Sequence, residues 1–119
     1  MAQLTQFVQE QNIQSASISG IGAVDRAELR YYDFASQKYI GKDFEGELEV
    51  ASLTGNVSLL DGKPWPHVHI VLADTDFRAI GGHLESARVR VTCEIVIEVF
   101  EEAIERALDE EIGLKLWSL

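Results

Sequence analysis

His67, His69 and His83 are the three histidines of this 119-residue chain, and they fall within seventeen positions of one another. In a β-strand, residues i and i+2 project from one face about 6.6 Å apart, so His67 and His69 can point the same way. A hairpin return brings His83 beside them, provided the loop has the right parity. A two-residue loop at Thr75-Asp76 would set His83 opposite Val68 and send it to the wrong face. A three-residue loop, Thr75-Asp76-Phe77, sets His83 opposite His69, and this is the expected arrangement; a bulge at Gly81-Gly82 gives the same parity. Three neutral imidazoles meeting at one point describe a transition-metal site, with zinc or another divalent transition metal held and a fourth position left open. Such an ion lowers the pKa of bound water to about 7 and polarises a carbonyl, and the chemistry then calls for an acid or base. Glu45, Glu47 and Glu49 are the nearest supply. The competing reading has three half-buried strand residues hydrogen-bonded to backbone, with no metal.

The elements that must position these residues follow from the pattern of the chain. Residues 3–13 place Leu4, Phe7 and Val8 on one side with glutamines opposite, which predicts a short amphipathic helix. Residues 15–24 and 27–32 are small and β-compatible around Asp25-Arg26, which predicts a hairpin. Gly20 and Gly22 lack the third glycine and the following helix of a dinucleotide fingerprint, and fit close backbone packing or a bulge. Residues 34–42 are polar enough for a loop. Residues 44–53 alternate imperfectly as a bent strand would, Thr54-Gly55-Asn56 turns the chain, and 57–60 continues it. The two prolines in 61–66 predict a break. Residues 67–72, 78–84 and 87–100 read as strands. Residues 101–111 fit a second helix, with Phe100, Ile104 and Leu108 at i, i+4 and i+8 and Gly113 ending it, and 114–119 could add a final strand. About seven strands with two short helices indicate an α+β domain on an antiparallel or mixed sheet.

Composition narrows the function classes. The length suits one domain, and 46% apolar residues supply one core. The formal charge of −10 opposes nucleic-acid phosphate, and the basic residues make no run. No signal-length or membrane-length apolar segment occurs, so a cytoplasmic protein without a membrane partner is expected. Cys93, the single cysteine, reads as a small buried strand residue rather than a reactive thiol.

Three stretches in order, 46–58 (GELEVASLTGNVS), 66–74 (PHVHIVLAD) and 79–84 (AIGGHL), resemble the PPC domain conserved in plants and prokaryotes. The likeness runs from about residue 13 to the closing Leu-Trp-Ser-Leu. The resemblance implies an α+β fold with an antiparallel sheet, a homotrimer and, in prokaryotic members, a metal site at the two histidine motifs. On that basis His67, His69 and His83 are the metal ligands. Glu49 matches the acidic position of the family's glutamate-containing strand motif, which makes it the preferred catalytic candidate over its neighbours. The fold also looks like that of acetolactate decarboxylase, which holds zinc through a similar His-x-His and a later histidine.

Three departures from the family pattern stand out. Residues 1–119 read as a single such domain, but it begins at the helix where members usually have a further strand. Phe77 stands where the hairpin turn normally carries glycine, and a bulky residue tolerates positive φ poorly, so the loop could be remodelled. The plant members' AT-hook has no counterpart. The leading expectation is a metal-binding homotrimer with a small-molecule ligand or a regulatory role, in a family often named DNA-binding but without direct DNA binding by this chain. The alternatives are a zinc-dependent lyase or hydrolase on a small oxo-acid, with Glu49 carrying the proton, and an assembly module with structural histidines.

Overall fold

The chain opens with helix α1 (Ala2–Glu10) and continues through strands β1 (Ala16–Asp33), β2 (Lys38–Leu60), β3 (Lys63–Ala73), β4 (Ala79–Val99), β5 (Glu105–Asp109) and β6 (Leu114–Ser118). This computed structural model describes residues 1–118; the last position of the expected final strand, Leu119, lies outside the described residues. The six strands form one mixed sheet in the order β1-β4-β3-β2-β5-β6, and an added β1–β2 pairing bends the four long strands back on themselves. All pairings among the long strands are antiparallel. The parallel element is a single bridge from Leu59 to Glu105.

The helix forms as its apolar spacing predicts. Val8 is fully buried, Leu4 packs against the same cluster, and Asn12 at φ 50° ends the helix while the Ile13 amide bonds the Val8 carbonyl. The buried side chains of the strands, among them Ile18, Leu29, Val57, Val68, Ile70, Leu72 and Leu84, meet Val8 in one core. Each of these residues comes from one face of its strand, so the neighbours at odd steps face the other way.

Several sequence expectations need correction. The hairpin expected at Asp25-Arg26 is one continuous strand, β1, with register shifts at 20–22 and 24–26. These bulges absorb the irregularity that reads as a turn. The loop expected at 34–42 shrinks to residues 34–37, because Tyr32 and Tyr39 pair across the strands with rings 5.3 Å apart. The turn expected at Gly55 is also strand: a Cβ there would lie 2.2 Å from the His67 carbonyl oxygen, so glycine serves close strand approach. Gly22 has the same role, with a Cβ reaching 2.3 Å from the Thr92 carbonyl oxygen.

The proline break is the next correction. Only Asp61-Gly62 turns the chain, and Pro64 and Pro66 sit within β3 opposite Leu59 and Val57. This half of β3 pairs with β2 alone, since β4 joins it from His69 onward. The Pro64 carbonyl turns to the helix side and accepts from Gln9 Nε2 at 3.1 Å, so the missing amide costs no ladder hydrogen bond. The second helix is the last correction. Residues 105–118 form the β5–β6 hairpin, closed by Gly113 at φ 78°, and Leu108 is 58% exposed. The apolar spacing at 100, 104 and 108 therefore has no face to bury. Among the described residues there are six strands and one helix, against the seven and two expected, and no helix is long and apolar enough to cross a membrane.

Candidate metal centre

Strand β3 alternates cleanly. Val68, Ile70 and Leu72 are buried in the core, which forces His67 and His69 together onto the opposite face. The β3–β4 hairpin then decides the position of His83. Its register runs Ala73↔Ala79, Leu72↔Ile80 and His69↔His83, and the Asp74 amide bonds the Arg78 carbonyl at 3.1 Å. The inner loop is thus Thr75-Asp76-Phe77, the three-residue arrangement. Phe77 takes up φ 62° with its ring 91% exposed, so the loop keeps its shape despite the bulky residue. Asp74 Oδ1 accepts from the amides of Asp76 at 2.9 Å and Arg78 at 3.0 Å, an Asx-type turn that holds the strained residue in place.

The three imidazoles meet. Ring centroids are 5.2 Å apart for His67–His69, 5.0 Å for His67–His83 and 5.6 Å for His69–His83. One nitrogen from each ring lies within 4.8 Å of the others. Tetrahedral zinc sets its nitrogen ligands about 3.3 Å apart, a separation that small ring rotations reach. His83 Nδ1 is buried with no hydrogen-bond partner among the described residues. A buried polar atom without a partner is costly, and a cation would satisfy it. The residues present therefore fit a metal.

The surroundings favour neutral, ligand-competent rings. Burial, then the neighbouring His83, Arg106 and His69, pushes the His67 pKa down to about 4. Burial and then His69 lower that of His83 as well, against the opposing pull of Glu85. Trp65 stacks on His67 at 5.6 Å and Tyr39 lies 5.1 Å from His83, so both rings pack against an aromatic neighbour.

A cavity of about 320 Å³ opens beside His67 and His83, walled by Tyr39, Trp65, Arg30, Glu85 and Arg106. Sequence reasoning passed over all five. Glu85 carries a readable signal, since it lies two residues from His83 and lines the same cavity. Arg30 pairs with His83 in register, a long-range fact no local pattern encodes. Arg106 gave none, because its segment reads as helix.

Glu49 is not brought to the histidines within this chain. It lies opposite Ala73, four residues along β3 from His69 and so about 13 Å away, and it lines a separate surface cavity with Glu45, Glu47, Arg88 and Arg90. Cys93 is partly buried, and that burial raises its thiol pKa.

The sequence profile of the Plants and Prokaryotes Conserved (PCC) domain matches residues 1–101. A metal-containing protein of Archaeoglobus fulgidus is 44% identical, with 99% of this chain and 84% of that one aligned at a TM-score of 0.89. A candidate DNA-binding protein of Bacteroides thetaiotaomicron (34% identity, 98% and 82% covered) aligns at 0.94. A plant- and prokaryote-conserved protein of Pyrococcus horikoshii (34%, 99% and 82%) aligns at 0.91. A Staphylococcus aureus protein similar to α-acetolactate decarboxylase shares the fold alone, at 13% identity and a TM-score of 0.60 over 85% of this chain and 48% of that one. No curated protein matches the sequence. With its family profile matched over most of its length and its histidine motifs on one sheet face, the chain belongs to the Plants and Prokaryotes Conserved (PCC) domain family.

Proposed function

We propose that this protein binds a divalent transition metal, zinc first among them, through His67, His69 and His83, and presents it to a small ligand in the adjoining cavity. The observation that carries the reading is the convergence of three imidazole nitrogens within 4.8 Å of one another, with His83 Nδ1 buried and without a hydrogen-bond partner among the described residues. The metal-containing relative at 44% identity supports it. Bound there, the metal supplies Lewis acidity next to the cavity. His67, His69 and His83 hold it, Trp65 and Tyr39 keep water from one side of the rings, and Glu85, 3.2 Å from Arg30, is the carboxylate able to hold or move a proton at the cavity wall. Glu49 takes that role only if another copy of the chain supplies it.

A homotrimer in the cytoplasm is part of the proposal. The outer half of β4 is in keeping with assembly: Val91, Val96 and Val99 are 78%, 61% and 61% exposed, apolar side chains that a neighbouring copy could cover. Direct DNA binding is not part of it. Relatives carry a DNA-binding description, but the charge is −10 and Arg26, Arg30, Arg78, Arg88 and Lys115 are each tied to a carboxylate. A gel-shift series across salt with a steep slope would restore the DNA reading.

The cavity against the histidines favours a second reading, a zinc-dependent lyase or hydrolase acting on a small oxo-acid. Turnover of a 2-oxo and 2-hydroxy acid panel, lost in His83→Ala, would support it; a metal-loaded protein without turnover favours binding. The proposal as a whole is tested by elemental analysis of untagged protein. A stoichiometric transition metal is expected in the native chain and none in His83→Ala; equal metal in both removes the site.

A further inference from the structure

Among the described residues, one cation of the cavity beside the histidines has no carboxylate partner. Arg30 is neutralised by Glu28 at 2.8 Å and Glu85 at 3.2 Å, and Lys115 by Asp61 at 2.6 Å. Arg106 makes no ion pair among the described residues. Its guanidinium donates from Nε to Ser58 Oγ at 2.7 Å, from Nη2 to Asn56 Oδ1 at 3.0 Å and from Nη1 to the Lys115 carbonyl at 2.9 Å. All three acceptors are neutral. Ser58 is fully buried, and the guanidinium carbon sits 5.1 Å over the Trp65 ring, so the group is held in one place against an apolar wall. A guanidinium has five N–H donors, which leaves two for a ligand. A fixed, partly desolvated cation without a counter-charge is expensive unless an anion joins it.

We infer that Arg106 forms the anion-binding half of the cavity and that the ligand class is a small monoanionic carboxylate, its carboxylate on Arg106 and a second oxygen turned toward the histidines. The choice of a carboxylate follows from the donors. Among the described residues Arg106 is the cavity-lining cation without a carboxylate partner, and its two remaining N–H groups suit the two oxygens of one carboxylate. The volume of about 320 Å³ suits a few heavy atoms, and Trp65 and Tyr39 offer flat apolar walls to the rest of the molecule. The inference deepens the metal-site reading and rests on it for the second contact; the Arg106 contact itself needs no metal.

The test separates the two. Cobalt(II) titration of apo protein, read by its visible spectrum, measures the metal site. Pyruvate, its neutral amide and inorganic phosphate are then titrated into apo and cobalt-loaded protein, followed by calorimetry and by NMR shifts of the Trp65 indole. Pyruvate is expected to bind both forms, more tightly with cobalt, and at least tenfold more tightly than the amide or phosphate. Arg106→Gln should weaken pyruvate tenfold or more and leave cobalt affinity equal or higher, because a cation beside His67 has gone; Arg106→Lys, which keeps the charge if the glutamine variant fails to fold, should lose less. Equal binding of acid and amide, tighter phosphate, or pyruvate affinity unmoved in Arg106→Gln overturns the proposal. Absence of a cobalt spectrum defeats the metal reading instead, and the apo titration still judges Arg106.

Discussion

Replacing Phe77 by glycine should stabilise this protein, and the reasoning can be followed atom by atom. Phe77 occupies φ 62° in the loop that sets His69 opposite His83. For a residue with a Cβ, that conformation costs about 1–2 kcal/mol. The ring is 91% exposed, so little packing is lost with it. Glycine gains chain freedom in the unfolded state, which offsets roughly 0.5–1 kcal/mol. The net expectation for Phe77→Gly is about 0.5–1 kcal/mol of added stability, or roughly 2–5 °C in Tm at this chain length. Urea denaturation of the metal-free protein at fixed concentration reads it as a higher midpoint with an unchanged slope. Phe77→Ala keeps the strain and should move the midpoint by no more than about 0.5 kcal/mol either way. Metal affinity should be the same in both variants, since the Asp74 hydrogen bonds hold the register. A lower midpoint for Phe77→Gly than for Phe77→Ala would refute the claim that strain sits at this residue.

Two further outcomes follow from the site's geometry. The lowered His67 pKa, about 4 in the fold against an ordinary value near 6.5, means the unfolded chain binds a proton that the folded chain refuses between those values; apo stability therefore falls as pH drops from 6.5 toward 4 and is level above it. Urea midpoints across this window should drop less in His67→Gln than in the native chain, and parallel curves would contradict the assignment. Gly55→Ala places a Cβ 2.2 Å from the His67 carbonyl oxygen, so it should cost about 1–3 kcal/mol and weaken metal binding by displacing β3; a neutral effect in thermal melts would show that the strands are not held this closely.

The centre of the site was legible in the sequence because strand periodicity and loop parity are local rules. His67, His69 and the three-residue loop suffice to bring His83 across. The walls of the site were not legible. Arg30 reaches His83 through a pairing fifty-three residues long in sequence, and the bulges in β1 hide its continuity. The β5–β6 hairpin that carries Arg106 has an apolar spacing that fits a helix equally well, and only the partner strands decide between them. Prolines 64 and 66 misled for a related reason: they are tolerated because β3 has one neighbour there, a fact of topology rather than of the segment itself. The position of Glu49 was not legible either: within one chain the fold sets it about 13 Å along the strand from His69, which a motif match does not encode.

The most direct test is diffraction from crystals of the zinc-soaked protein, measured on both sides of the zinc absorption edge. The account predicts one anomalous peak per chain, about 2.0–2.1 Å from a nitrogen of each of His67, His69 and His83. A map with no peak among these rings, or with the ion held by carboxylates elsewhere, would contradict it.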